Sequence, residues 1–146
     1  MTHAQPISAD AGPHPAAELP VRPGEEPWSE AERTEVRERL LEDIATYRAE
    51  IEQAQAQLAD QLADSVSGAG DDTADTGAKN FAREHSLAVT YNTRDLLAQS
   101  ERAIARMDAG TYGACESCGK AIGKARLQAY PRAVLCVQCK QREERR

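Results

Sequence analysis

Apolar residues recur every three or four positions along two long stretches of this chain. Between Ser29 and Gly68 there is no Gly or Pro, and a single apolar stripe runs through residues that are mostly Glu, Arg, Gln and Ala. This spacing predicts an amphipathic helix over residues 29–64, about 50 Å long at about 1.5 Å per residue. Its stripe consists of Val36, Leu40, Ile44, Tyr47, Ile51, Ala54, Leu58 and Leu62.

The predicted helix begins with a capping signal. Ser29 is suited to the N-cap position and Glu32 to the third helical position, where the two can exchange hydrogen bonds. Glycines and small polar residues over 65–77 then predict a turn region. A second helix is expected to start between Asp72 and Lys79 and to stop at Gly110, a residue that tolerates the left-handed conformation. Its weaker stripe contains Phe81, Leu87, Ala88, Tyr91, Leu96, Leu97, Ile104 and Met107.

Two long helices joined by a short linker bury their stripes when they lie antiparallel. We therefore predict a mainly α fold, with a coiled-coil hairpin over residues 29–110 and an acidic tip near 65–77. Residues 1–28 hold six of the seven prolines and few large apolar residues, so they are predicted to be a disordered tail. Residues 111–146 remain as a small C-terminal module that ends in a short basic helix.

Composition limits the size of any core. Aromatic residues make up 4% of the 146 residues, with one Phe and one Trp, and 29% are charged. No run of 18 apolar residues predicts a membrane span, and the N-terminus lacks the pattern of a signal peptide. These features, together with free thiols, favour the cytoplasm.

All four cysteines lie in the C-terminal module as two CxxC pairs. Cys115 and Cys118 are followed, after seventeen residues, by Cys136 and Cys139. Two such pairs form the tetrahedral sulfur shell that Zn²⁺ accepts, and four protein ligands make a closed, structural site. The competing interpretations are disulfides, a redox dithiol and four unrelated buried thiols. Nothing indicates secretion and no βαβ pattern surrounds either pair, so one structural zinc ion is favoured.

Charge is distributed unevenly along the chain, whose net charge is −6. Residues 29–66 carry ten acids and four bases, whereas residues 111–146 carry three acids and eight bases. An acidic body with a basic end is not typical of a general nucleic-acid binder. The distribution instead favours a protein partner with patches of both signs.

The C-terminal module resembles the zinc finger of the DksA/TraR family. The matching residues are Gly110-Thr111-Tyr112-Gly113, Cys115, Cys118-Gly119-Lys120, Ile122-Gly123, Arg126-Leu127, Ala129, Pro131, Leu135-Cys136 and Cys139-Lys140. The resemblance is specific over roughly 72–140, rests on layout alone in the first helix, and does not reach residues 1–28. It implies a non-enzymatic transcription regulator that binds RNA polymerase rather than DNA and inserts its coiled-coil tip through the secondary channel.

The family's tip motif, Asp-x-x-Asp-x-Ala, is matched by Asp72 and Asp75, with Gly77 in place of the alanine. The resemblance implies that the two carboxylates contact the polymerase. From the residues alone, either aspartate could instead cap the second helix, because an N-terminus leaves backbone N–H groups unpaired.

Well-studied members of the family act with guanosine tetraphosphate through basic residues. Lys140 matches one such position, which makes it a candidate contact for the alarmone or the polymerase, whereas Gln99 and Tyr130 replace the other basic residues. A tetraphosphate needs cationic partners, so these neutral residues predict a weakened alarmone response.

Two further hypotheses remain open at this point. The chain could be a zinc-finger adaptor that binds another protein through its coiled coil, with an inert tip. Alternatively, the basic finger could bind DNA, which predicts an affinity that falls steeply with salt.

Overall fold

The computed structural model describes residues 19–67 and 73–145. These ranges contain four helices: α1 (Glu30–Ser67), α2 (Thr73–Ala109), α3 (Lys124–Ala129) and α4 (Val137–Glu144). The chain divides into two compact units, the first made of Met1–Leu41 and Ser100–Arg146 and the second of Glu42–Gln99. The mainly α fold with two long packed helices is thus confirmed. Within the described ranges, no helix combines the length and apolar character needed to cross a bilayer.

Helix α1 starts with the predicted capping box. The Glu32 backbone N–H donates to Ser29 Oγ at 3.0 Å, and the Ser29 N–H donates to Glu32 Oε1 at 2.9 Å. These reciprocal bonds satisfy two backbone donors that the first helical turn leaves unpaired. The position of α1 in the sequence is therefore fixed by two side chains at its first turn.

The turn between the long helices is narrower than the predicted 65–77. Helix α1 continues through Ser67 and α2 already begins at Thr73, so only residues 68–72 fall between them, and these lie outside the described residues. Gly77 lies inside α2, where a Cβ would meet nothing within 4 Å. At the other end, Gly110 has φ 78° and terminates α2 as predicted.

In the second unit, hydroxyl side chains form the packed face of α2. Ser86, Thr90 and Thr93 are all buried and recur at spacings of four and three. The two helices are joined across this region by Gln61 Nε2 donating to Ser86 Oγ at 3.4 Å and by a Lys79–Asp64 ion pair at 3.6 Å. We call Ser86, Thr90 and Thr93 the hydroxyl seam.

The predicted apolar stripe of α2 is wrong over its first part, up to Tyr91, whereas its members Leu96 and Leu97 are half-buried. Phe81, Leu87 and Tyr91 are exposed, and the hydroxyl seam is buried instead. Small side chains let two helices approach closely, and Thr90 Oγ1 donates to the Ser86 carbonyl at 2.9 Å, so its hydroxyl is satisfied within its own helix. The apolar stripe of α2 therefore did not indicate which face of this helix is buried. Serine and threonine can be buried in its place when their hydroxyl groups make hydrogen bonds within the helix.

The first unit contains the main apolar core. Trp28 and Tyr112 lie at its centre with ring centroids 6.2 Å apart, and the Tyr112 hydroxyl donates to the Pro131 carbonyl at 2.9 Å. Burial raises the pKa of Tyr112, so this hydroxyl keeps its proton and its role as donor. The buried cluster comprises Leu19, Trp28, Val36, Leu40, Ala103, Met107, Tyr112, Cys115, Ile122, Leu127 and Cys139.

Residues 19–28, which we call the N-terminal strap, belong to this core. Leu19 and Trp28 are buried, and the indole Nε1 of Trp28 donates to the Pro20 carbonyl at 3.3 Å. The predicted disordered tail over 1–28 is therefore corrected for residues 19–28, while residues 1–18 lie outside the described residues. The apolar residues of the strap follow neither a helical nor a strand pattern in the sequence. They pack instead onto a surface that other elements form.

Lys124 connects the strap, α1 and the finger. Its ammonium group contacts Glu32 Oε1 at 2.7 Å and the Glu26 carbonyl at 3.2 Å, and it lies 5.8 Å from the centre of the Trp28 ring. The hydrogen bond from Lys124, followed by that from the Ser29 N–H, lowers the pKa of Glu32 to about 2. The Glu32 carboxylate is therefore charged at neutral pH and well into the acidic range.

Replacing Trp28 with alanine should destabilise the protein strongly. Trp28 is 2% exposed, and truncation of a buried large aromatic residue costs about 3–5 kcal/mol. The free energy of unfolding is measured by urea titration of the zinc-loaded protein, followed by circular dichroism.

Tyr130→Ala is the matched control, because this aromatic residue is 64% exposed and contacts Arg126. Its loss should cost no more than about 1 kcal/mol. Equal effects of the two substitutions would show that the strap contributes nothing to the core.

Candidate functional site

The first CxxC pair lies in a tight turn. The Cys115 N–H donates to the Lys120 carbonyl at 2.8 Å, and the Gly119 N–H donates to the Cys115 carbonyl at 2.9 Å. Gly119 has φ 77°, a conformation that glycine adopts without steric cost and that lets the chain reverse after Cys118. The turn is closed by an antiparallel bridge between Ala114 and Ala121.

The second pair lies at the start of α4. Cys136 is the N-cap residue and Cys139 lies in the first turn of the helix, three positions later. Residues three apart lie on the same side of a helix, so the helix start presents both thiols in one direction. A turn and a helix start thus supply the two halves of the site.

The four sulfur atoms are close enough to share one ion. All of them lie within 4.8 Å of one another, and Cys118 Sγ is 3.8 Å from Cys136 Sγ. A tetrahedral shell with Zn–S bonds of about 2.3 Å separates its sulfurs by about 3.8 Å. The cysteines therefore fit one structural zinc ion, as their spacing predicted.

Backbone donors prepare the thiols for a cation. Burial opposes ionisation of Cys115, but N–H groups, led by that of Cys118, outweigh it and hold its pKa at about 6. The Cys139 N–H lowers the pKa of Cys136, whereas the hydrogen bond to Cys136 raises that of Cys139 to about 11. Zinc binds the thiolates and displaces the protons that remain on the thiols, so zinc binding is coupled to proton release.

The zinc site is closed. Four thiolate ligands complete the tetrahedral shell and leave no position for a water molecule or a substrate. Cys115 and Cys139 are buried in the apolar cluster of the first unit, whereas Cys118 is exposed. Two of the four ligands of the metal would therefore be core residues. The metal would link the turn of the first CxxC pair, the start of α4 and the apolar cluster.

The predicted tip residues are described only in part. Asp75 is exposed and lies in the first turn of α2, where a carboxylate interacts favourably with the helix dipole. Asp72 directly precedes α2 in the sequence but lies outside the described residues. The prediction that both contact a partner remains untested.

Lys140, the predicted contact for the alarmone or the polymerase, is an exposed residue of α4. Its backbone N–H donates to the Cys136 carbonyl at 2.9 Å. Gln99 donates to Asp95 at 2.8 Å, and Tyr130 stacks with the Arg126 guanidinium at 5.9 Å. The proposed contact of Lys140 with the alarmone or the polymerase stays a prediction.

Sequence reasoning missed the strap contacts of the finger. Glu25 Oε2 accepts a hydrogen bond from the Lys124 N–H at 2.9 Å, across 99 positions in sequence. Gly123, with φ 110°, allows this approach, because a Cβ there would lie 2.8 Å from Arg22 Cδ. The only sequence signal was a tryptophan next to a predicted N-cap.

These features define a class of protein: two long packed helices combined with a four-cysteine zinc finger. Residues 110–145 match the family described as the prokaryotic dksA/traR C4-type zinc finger. The solved structure of transcription factor DksA2 from Pseudomonas aeruginosa is similar, with a TM-score of 0.66 and 30% identity, and the match covers 80% of this chain and 85% of that one.

Two bacterial proteins with the name RNA polymerase-binding transcription factor DksA are also similar. The Escherichia coli K12 protein is 31% identical over 140 residues, which cover 92% of this chain and 83% of the relative. The Caulobacter vibrioides NA1000 protein is 37% identical over 75 residues, 51% of this chain, and the match spans about half (53%) of that relative's length. The chain therefore belongs to the DksA/TraR family, as the finger residues indicated.

Replacing Cys118 with serine should release the zinc ion and lower both helix content and the melting temperature, because metal binding and folding are coupled and two of the other ligands belong to the apolar cluster. Zinc affinity should fall by more than about 100-fold, since even the loss of a hydrogen-bond partner outside the ligand shell costs about 10–100-fold. Zinc content is measured by mass spectrometry after dialysis against a chelator, and helix content by circular dichroism.

Gln138→Ala serves as the control, because Gln138 lies between the second pair of ligands and is exposed. This variant should keep one zinc ion per chain. Full zinc content and unchanged melting of Cys118→Ser would contradict a four-thiolate site.

Proposed function

We propose that this chain binds RNA polymerase directly and regulates transcription. The observation that supports this most strongly is the similarity to Escherichia coli DksA over 92% of this chain, which includes the long helices as well as the finger. The similarity to the DksA2 structure supports the same conclusion at the level of the fold. The proposed site of action is the cytoplasm, where RNA polymerase is present.

In the proposed complex, the turn end of the two long helices enters the secondary channel of the polymerase. An α-helix with its side chains is about 10–12 Å wide, so a pair of helices can enter openings that exclude a globular domain. Asp72 and Asp75 flank the start of α2 and would bring negative charge to the leading end. Carboxylates there can interact with a metal ion or with cationic side chains of the polymerase.

The zinc finger has a structural role in this proposal. Within the first unit, Arg37 pairs with Asp108 at 2.8 Å and Arg106 pairs with Glu116 at 3.6 Å. The first pair joins the start of α1 to the end of α2, whereas Arg106–Glu116 and the contact of Lys124 with Glu32 attach the finger to these two helices. Catalysis is not part of the proposal, since the family is not an enzyme family and the zinc shell is closed.

Guanosine tetraphosphate is a secondary element of the proposal. Lys140 is exposed and can donate to a phosphate or to an acidic group of the polymerase. The neutral residues Gln99 and Tyr130 support only a weak response, because a tetraphosphate is stabilised by several cations at once.

Replacing Asp72 and Asp75 together with asparagine should abolish the effect on transcription but preserve binding. The amides keep the size of the side chains and their capacity to cap α2, and they remove only the charge. Binding is measured by pull-down of core RNA polymerase, and the effect by in vitro transcription from a ribosomal RNA promoter.

A double variant with Glu52→Gln and Asp60→Asn is the control, because it removes the same charge from exposed positions of α1. It should bind and act like the wild type. Intact regulation by the Asp72/Asp75 variant would support an adaptor with an inert tip. If the wild type binds promoter DNA but not the polymerase, the proposal fails in favour of a DNA-binding finger.

A further inference from the structure

Of the four large apolar side chains that α2 exposes in the second unit, three lie toward one side of the helix. Phe81 is 73% exposed, Tyr91 is 70% exposed and Leu87 is 38% exposed. All three lie in the part of α2 that also carries the hydroxyl seam. We call Phe81, Leu87 and Tyr91 the outer face of α2.

Helical geometry places these residues on one side of α2. At 100° per residue, Leu87 and Tyr91 lie within about 120° of Phe81 around the helix axis, whereas Thr90 of the seam lies about 180° away. The rise of about 1.5 Å per residue separates Phe81 from Tyr91 by about 15 Å along the axis. Phe81 and Tyr91 therefore form a strip about three turns long on the side of α2 away from the hydroxyl seam, and Leu87 lies at its edge, about 60° around the axis from Thr90.

This placement is unusual for a chain with so few large apolar residues. Phe81 is the only phenylalanine, and Tyr91 is one of four tyrosines. The seam buries serine and threonine in the same stretch of helix, so the larger side chains are not needed for the packing of α1 and α2. Exposed aromatic residues grouped on one face are typical of protein interfaces, where they supply much of the binding energy.

Charge indicates the kind of partner. Glu84 and Asp95 are exposed and fall within the same sector of the helix. The second unit, residues 42–99, carries eleven acids and four bases, a net charge of −7. Two copies apposed through this face would repel each other, whereas a basic protein surface would be attracted.

We propose that the outer face of α2 docks on a protein surface of RNA polymerase that combines apolar pockets with a cationic rim. Phe81 and Tyr91 would fill the pockets and Glu84 and Asp95 would face the cations. This proposal rests on the proposed function, because it assigns the contact surface of the same complex. It differs from the proposed role of Asp72 and Asp75, since the outer face supplies affinity rather than the regulatory effect.

The main test replaces Phe81 and Tyr91 together with alanine and measures the Kd for core RNA polymerase. Affinity should fall by about 10-fold or more, because truncation of anchor residues typically costs at least a factor of ten. Circular dichroism and zinc content should stay unchanged, since both side chains are exposed.

Leu87 and Val89 provide a matched pair within one helix. Each is 38% exposed, but Leu87 lies about 40° from Tyr91 around the helix axis, whereas Val89 lies about 160° from Tyr91. Leu87→Ala should weaken binding to the polymerase, and Val89→Ala should leave it unchanged. Equal effects of the two would show that exposure, and not the outer face, determines affinity.

Two outcomes distinguish this proposal from the one on which it rests. If the wild type binds the polymerase and the Phe81/Tyr91 variant binds equally well, the docking surface is refuted and the proposed function stands. If the wild type does not bind, both fail. Self-association of the wild type that is lost in the variant, measured by analytical ultracentrifugation, would assign the outer face to a second copy of the chain.

Discussion

Zinc coordination and apolar packing depend on the same side chains in this protein. Cys115 and Cys139 supply thiolates to the metal site and are also members of the buried cluster around Trp28 and Tyr112. A metal-bound thiolate fixes the position of its backbone, so each of these ligands also fixes a part of the core. A chain with 4% aromatic residues gains in this way a rigid first unit that apolar burial alone would not provide.

The second unit is held together differently. Its buried residues are mostly small: the hydroxyl side chains of α2 and Ala54 of α1, together with Ile44, with single polar bridges such as Gln61–Ser86. Side chains of this size remove little apolar area from water, so the stability of the helices here depends more on backbone hydrogen bonds and on continuity with the rest of α1 and α2. Local opening should be easier in this unit than in the first one.

The features that the sequence predicted correctly have short-range causes. The zinc ligands follow from the spacing within each CxxC pair, the start of α1 from Ser29 and Glu32, and the end of α2 from Gly110. The features that it missed have long-range causes. The strap becomes ordered through Lys124, about a hundred positions away, and the buried face of α2 was assigned wrongly because periodicity records where apolar residues lie and not which face a partner helix covers. Asp72 cannot be compared, since it lies outside the described residues.

The wrong assignment of the buried face of α2 has one physical explanation. An apolar stripe is a good guide to burial when a protein uses its large side chains for its own core, as the first unit does with Leu40 and Leu127. In the second unit the seam is filled by hydroxyl groups whose hydrogen bonds can be made within the helix, so Phe81 and Tyr91 remain available for an external contact. In the proposed complex, negative charge would raise the rate of encounter and the aromatic side chains would slow dissociation, because charge acts over a distance and apolar contact acts only after docking. The carboxylates at the start of α2 would then not be needed for affinity, which leaves them free to act on the polymerase.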